Sequence, residues 1–290
     1  MIRPAVDVVV PFAGSEAELA DLLRRLEVLE LRAEDTLTVV DNHRGGVTPR
    51  QTEDSAAIVA AHEVRSSYYA RNRGAARGRA PWIVFIDADV DPAPDLLGRY
   101  FDEEPGGDVA LLAGRIDDAP LGRAPTRAER FAAEHEQMSQ ANTMRGVWAY
   151  AQTANVAVRR SAFEAIGGFT DALRSGGDAD LSFRLRAAGW RLEERPRARV
   201  VHHNRRSARA FLRQKARHGA GAAWLNRRYP GSFPPRGRAG YLKWLVGELV
   251  RAAGTTLRGS PREAADRLFP ALVIGALELG RLLPNRVRTR

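Results

Sequence analysis

The sequence predicts an α/β domain, a mostly parallel sheet flanked by helices, followed by a basic helical C-terminal region. Three observations carry this. Short β-branched runs, "VDVVV" at 6–10 and "TLTVVD" at 36–41, enclose a stretch with leucines at helical spacing, and strand, helix and strand in that order imply parallel pairing. "WIVFID" at 82–87 is apolar at successive positions, as a central strand covered on both faces must be. Charge then divides the chain. Residues 1–195 hold 24 Lys and Arg against 31 Asp and Glu, a net of −7, whereas residues 196–290 hold 21 against 4, a net of +17.

The elements follow in order. After the first strand, Ser15 with Glu18 three residues later forms a capping box, and Leu19, Leu22, Leu23 and Leu26 give the helix an apolar face. The second strand ends on Asp41, "RGGVTPRQTED" (44–54) reads as a loop, and a third strand falls within 57–64. "YYARNRGAARGRA" (68–80) reads as a helix broken by Gly74 and Gly78; "PAPDLLGRYFDEE" (92–104) reads as a helix with proline in its first turn. "DVALLAGRI" is a strand, Thr126 to Met144 is helical, and "QTANVAVRR" is again a strand. "SAFEAIGGF" and "DADLSFRLRAAG" are helices closed by glycine, "ARVVHHN" is a strand, and Ser207 to Asn226 is a basic helix before two more helices. The expected division is a domain over 1–206, with a nucleotide-binding half at 1–115 and an acceptor half at 116–206, and a basic helical region over 207–290.

With 290 residues and 44% apolar side chains, the chain suits one large domain with an appendage. Cysteine is absent, which excludes disulfides, thiolate metal sites and a cysteine nucleophile and fits a reducing compartment. The start reads without a secretory signal. "LFPALVIGALELGRLL" (268–283) carries Pro270, Glu278 and Arg281 and is shorter than the roughly 20 residues a bilayer span needs, so it reads as a buried or surface-lying helix. The expectation is a cytoplasmic protein, at the cytoplasmic face of a membrane if the basic tail binds anionic lipid. No nucleic-acid motif accompanies the basic charge.

Candidate site residues come from the acidic part. Asp87 and Asp89 follow the central strand, where ligands of open α/β sheets bind, and two such carboxylates suit Mg²⁺ or Mn²⁺ bridging to a diphosphate. The same pair also reads as solvated charges capping the next helix. Asp41 is either a ligand of a base or ribose or a turn residue. Asp178, after Gly176 and Gly177 at a helix start, is either an N-cap or a general base. Asp180 and Arg184 form a structural i,i+4 pair. Of His202 and His203 only one can point inward, as a metal ligand or a plain strand histidine. The basic helix either lies on lipid or packs its apolar stripe on the core.

Together, "DVVVPFAGSEAELADLLRRL", "TVVDN", "ARNRGAARGRAPWIVFIDADVDP", "NVAVRRSAFEAIGGF" and "GGDADLSFRLRAAGW" resemble a bacterial family-2 glycosyltransferase of the GT-A fold, over residues 7–229. The resemblance implies a Rossmann-like nucleotide-binding domain and an inverting, metal-dependent transfer of one sugar from a nucleotide-diphosphate sugar, a UDP-sugar foremost, to an acceptor hydroxyl. It implies that Pro11, Asp41, Arg71, Gly74 and Asp87 bind the nucleotide donor. Asp87 and Asp89 correspond to the DxD motif that holds Mn²⁺ or Mg²⁺, His202 to a further metal ligand, and Asp178 to the base. Two features depart from the family: Gly177 stands where a glutamate precedes the base, and the Q-x-x-R-W signature of processive members is absent. The alternatives are a non-catalytic nucleotide- or partner-binding protein on the same scaffold and a nucleotidyltransferase, although "PFAGSEAEL" lacks the lysine the latter wants.

Overall fold

Apolar β-branched runs and capped amphipathic segments alternate along the chain, and each becomes one element. The computed structural model describes residues 3–43, 50–51, 56–257 and 260–287. In chain order these are β1 (Val6–Phe12), α1 (Glu16–Leu26), β2 (Thr36–Asp41), β3 (Arg50–Gln51), β4 (Ala56–Ala60), α2 (Ser67–Ala75) and β5 (Trp82–Ile86). There follow β6 (Val90–Pro92), α3 (Leu96–Arg99), β7 (Val109–Asp118), α4 (Arg127–Glu134), α5 (Gln140–Thr143), β8 (Asn155–Arg159) and α6 (Arg160–Ala165). The chain continues with α7 (Gly177–Ala187), β9 (Arg191–His202), α8 (Ala208–Arg228), α9 (Arg238–Leu257) and α10 (Pro261–Gly280).

The described strands form one sheet in the order β3-β4-β2-β1-β5-β8-β7-β9-β6. Its first half, β4-β2-β1-β5, is parallel, as the strand–helix–strand order requires. Beyond β5 it is mixed: β8 runs antiparallel to both β5 and β7, β9 is parallel to β7, and β6 closes the edge antiparallel to β9. Strand alternation sorts the core into two layers. Val6, Val8 and Val10 face Leu19, Leu22 and Leu26 of α1, while Val9 joins Tyr68, Ala70 and Ala75 of α2 on the other face. Both halves of the Ser15–Glu18 capping box form.

Several expectations change. Helix α2 ends at Ala75, one residue past Gly74 and short of Gly78; a Cβ on Gly74 would run into Val9 and Val40, so this glycine also lets the helix lie on the sheet. The helix expected at 92–104 shrinks to α3, since Val90–Pro92 is drawn into pairing with β9. The helix over 126–144 splits into α4 and α5 around Glu136, which has φ 43°. Strand β9 begins at Arg191, seven residues before the apolar pattern does, and its register slips between Gly114 and Arg115 of β7. Most of the loop expected at 44–54 lies outside the described residues, while 50–51 pair with β4.

The C-terminal helices are attached by aromatic packing. Phe131 of α4 meets Phe211 of α8 and Phe269 of α10 edge-on, at centroid distances of 5.8 and 5.5 Å, and Asp266 pairs with Arg127 and Arg130. Helices α8 and α10 touch through glycine: a Cβ on Gly219 would collide with the Leu277 carbonyl, and one on Gly280 with that of Ala216. No described helix is long and apolar enough to cross a membrane.

Candidate active site

Strand order reverses between β1 and β5, since β2 and β4 lie to one side of β1 and β8 lies beyond β5. A crevice therefore opens beyond the carboxyl ends of these two strands. It is a cleft of about 990 Å³, walled by Pro11 and Phe12 at the end of β1, by Arg71 of α2, by Asp87, Asp89 and Asp91, and by Arg205 and Arg217. The turn that carries the aspartates is clamped from two sides. Arg25 of α1 donates to the carbonyls of Ala88 and Val90, each at 2.9 Å. On the other side the Asp89 carbonyl accepts the His203 N–H at 2.9 Å.

Arg71 is buried, with its guanidinium ion-paired to Asp87 and lying 5.6 Å and 5.8 Å from the ring centroids of Tyr68 and Phe169. Among the described residues Asp89 makes no pair with an arginine. Loss of solvent around it in the cleft, and then the charge of Asp87, push its carboxyl above the usual range. His202 points inward and is 8% exposed. Its Nε2 is 3.8 Å from an Asp89 oxygen and its Nδ1 3.8 Å from an Asp118 oxygen. Burial works against the imidazolium, but Asp118, Asp89 and Asp87 outweigh it, and the pKa is raised. His203 points out and pairs with Asp91 at 2.6 Å, as strand alternation requires of adjacent residues.

Among the described residues no group of three or more His, Asp and Glu is gathered as a complete metal cage. The donor set nevertheless fits a hard divalent cation. Asp89 and His202 face each other, the buried His202 Nδ1 has no hydrogen-bond partner, and Mg²⁺-like ions commonly take one or two carboxylates and complete their shell with water and phosphate oxygens. Asp87, held by Arg71, stands beside that set.

His202 also lines a second cavity, of about 320 Å³, whose walls include Asp178, Tyr150, Gln137, Lys215, His218 and Phe233. His202 of this cavity and Asp89 of the first lie 3.8 Å apart. Helix α7 enters through Gly176 at φ +82°, and a Cβ on Gly177 would lie 2.7 Å from the Tyr68 ring. That ring fills the space a glutamate before Asp178 would need, which accounts for the departure at Gly177. The Asp178 carboxylate accepts the Ala179 N–H at 3.0 Å. Burial raises its pKa above the usual carboxylate range. Asp180, fully buried, accepts from Thr170 at 3.0 Å, Arg184 at 2.9 Å and Tyr229 at 2.8 Å, tying α7 to the end of α8.

Of the residues singled out from sequence, Pro11, Arg71, Asp87 and Asp89 line the first cavity, and Asp178 and His202 the second. Asp41 and Gly74 line neither. Asp41 is fully buried at the end of β2, accepting the His43 N–H at 2.9 Å with His62 at 3.6 Å, and Gly74 serves helix–sheet packing. Sequence reasoning missed Arg25, Asp118, Arg205, Arg217 and Lys215 as site residues. A pair of carboxylates ending "GRIDD" was the available signal for Asp118; Arg205, Lys215 and Arg217 were hidden in a basic stretch, and Arg25 in the polar face of α1. Because α8 helps wall both cavities, the boundary expected after residue 206 does not separate the site from the helical region.

A family model described as "Glycosyltransferase like family 2" matches residues 4–221. Pre-mycofactocin glycosyltransferase of Mycobacterium tuberculosis is 32% identical over 248 residues, covering 79% of this chain and 49% of that protein. Glycosyltransferase AglE of Haloferax volcanii is 33% identical over 141 residues, 48% of this chain and 45% of that one. The chain spans about half the length of these curated relatives. Among solved structures, the mannosyltransferase PcManGT of Pyrobaculum calidifontis, in complex with GDP-Man and Mn²⁺, superposes with a TM-score of 0.62 at 17% identity, covering 96% of this chain and 86% of that one. GalNAc-T7 with UDP, GalNAc and Mn²⁺ gives 0.50 at 13% identity, covering 70% and 44%. These two likenesses show the GT-A fold. The family match, extending over most of the sequence, shows that this chain belongs to glycosyltransferase-like family 2.

Proposed function

We propose that the chain is an inverting glycosyltransferase that moves one sugar from a nucleotide-diphosphate sugar to an acceptor hydroxyl. The observation that carries this is the 3.8 Å separation of Asp89, on the first cavity, from His202, on the second, with a half-buried carboxylate, Asp178, also on the second. The first cavity takes the nucleotide. Arg205 and Arg217, which make no ion pair among the described residues, face its diphosphate. Arg25 fixes the aspartate turn and Arg71 fixes Asp87. Mn²⁺ or Mg²⁺, held by Asp89 and His202 beside Asp87, would neutralise the negative charge that builds on the departing diphosphate. The acceptor enters the second cavity, where Asp178 takes the hydroxyl proton. Its raised pKa strengthens it as a base, and Tyr150 and Phe233 keep water from that hydroxyl. The donor GDP-Man and the nucleotide UDP named for the structural neighbours support a nucleotide-diphosphate sugar as donor.

Asp178→Asn should lose transfer by about 10²–10⁴-fold while nucleotide affinity in the presence of Mn²⁺ is kept. Nucleotide release and calorimetry read the two quantities, and normal turnover by the variant overturns the assignment. A thermal-shift panel of UDP, GDP and dTDP with and without Mn²⁺ identifies the base.

We further propose that α9 docks the protein on an anionic bilayer surface, on the cytoplasmic side. Leu242, Val246, Leu249, Val250 and Leu257 of α9 are exposed, and their spacing puts them on one helical stripe. Lys243 borders it, on a region whose net charge is +17. This combination matches an interfacial helix on acidic lipid. Flotation with phosphatidylserine vesicles, but not phosphatidylcholine vesicles, is expected, and is lost in Leu242→Glu/Val246→Glu/Val250→Glu; equal flotation of variant and parent refutes it.

A further inference from the structure

The second cavity contains a charge for which the transfer chemistry has no use. Lys215 reaches into it from α8 and is 8% exposed. Its ammonium donates to the Gln137 side-chain carbonyl and lies 4.8 Å from the Phe211 ring centroid. No ion pair among the described residues includes it. An ammonium has three protons to donate, and one withdrawn from water and given a single neutral acceptor is under-compensated. Burial lowers its pKa to about 8, so it remains mostly charged near neutrality. His218, on the same wall, is held neutral with its pKa pushed down to about 3, by burial first and then by the positive charges of Lys215, Arg217 and Arg205. The region around α8 therefore carries a positive field, while Asp178 of α7 supplies a negative charge to the same cavity.

We propose that Lys215 anchors an anion subsite in the acceptor cavity, so that the acceptor presenting its hydroxyl to Asp178 carries a carboxylate or phosphate group that sits against this ammonium. The inference rests on the transferase reading for the role of Asp178, but the subsite itself rests on the burial and pairing of Lys215. A cavity of about 320 Å³ holds a small acidic group and a short carbon stem, for which Tyr150 and Phe233 provide apolar walls. Arg217, on the same helix, faces the other cavity, so the two anions of the reaction are met by different residues.

The test uses the full chain with its first cavity filled by Mg²⁺ and the tightest-binding nucleoside diphosphate, titrated calorimetrically with glycerol, D-glycerate and sn-glycerol 3-phosphate. At least one anionic probe is expected to bind tenfold or more tightly than glycerol, and the tighter of the two names the acidic group. Lys215→Met should abolish that preference and Lys215→Arg retain part of it. Nucleotide affinity measured in each variant reports folding, and Lys215→Gln replaces Lys215→Met if the latter fails that control. Equal binding of all three probes to the parent protein, or an unchanged preference in a folded variant lacking the charge, overturns the subsite. Sugar transfer is assayed alongside. Transfer without anion preference sinks the subsite alone, whereas a Lys215-dependent preference with no transfer from any donor sinks the transferase reading and leaves the subsite standing.

Discussion

Lys215→Met also makes a thermodynamic prediction whose size follows from the burial of the ammonium. The Lys215 pKa falls from the ordinary 10.5 to about 8 in the folded protein. At about 1.4 kcal/mol per pH unit, keeping the charge inside costs roughly 3 kcal/mol of stability at pH 7. The sign follows from proton binding. Between pH 8 and 10.5 the unfolded chain holds this proton more tightly than the folded one, so stability rises with pH across that window, and below it the full cost is present. Methionine preserves the volume of the stem but loses the bond to Gln137, worth about 1 kcal/mol. The variant should therefore be about 2 kcal/mol more stable than the parent at pH 7, an advantage that vanishes by pH 10. Urea denaturation followed by tryptophan fluorescence at both pH values measures it; His218, whose pKa burial and then Lys215 hold down to about 3, titrates below this range, so it does not enter the comparison of pH 7 with pH 10. A difference that is the same at pH 7 and pH 10 would refute the claim that a buried, charged lysine lies in this cavity.

Three further outcomes are expected. Gly177→Ala places a methyl 2.7 Å from the Tyr68 ring and should cost about 1–3 kcal/mol in urea while weakening nucleotide binding, because Tyr68 supports Arg71; a neutral effect on both would show that the ring yields freely. Asn155→Ala removes the partner of the Tyr100 hydroxyl at 2.5 Å and of the carbonyls of Arg115 and Ala198 at 2.9 and 3.0 Å, all near the centre of the sheet, with an expected loss of about 2–4 kcal/mol in the same assay. Arg25→Met frees the carbonyls of Ala88 and Val90 and should weaken nucleotide–Mn²⁺ affinity about tenfold, or about 1.4 kcal/mol, with little change in urea midpoint; unchanged affinity by calorimetry would remove Arg25 from the site.

The parts of the fold legible in the sequence were those whose signal is local. The Ser15–Glu18 box, the doubly buried run at 82–86 and the glycine-closed helix beginning near Asp178 each state their own conformation. Asp87 and Asp89 were legible because a strand end is a place as well as a structure. What stayed hidden depends on partners distant in sequence. The stretch "RLEERPR" is charged at five of its seven positions and shows no apolar face, yet it becomes strand because β7 lies alongside it. Gly74 looked like a helix breaker, yet its neighbours are Val9 and Val40, more than thirty residues away. Lys215 and Arg217 were indistinguishable from the other cations of a basic tail until α8 was set against two cavities.

That placement of α8 constrains how such a protein can diverge. One rigid rod, pinned at its end by Tyr229 on Asp180 and along its side by the glycine contact with α10, offers Arg217 to one chamber and Lys215 to the other. A substitution that tilts or slides the rod to suit a new guest on one side displaces the wall of its neighbour. Selectivity on the two sides is thus inherited jointly, and independent retuning must come from loops that border a single chamber.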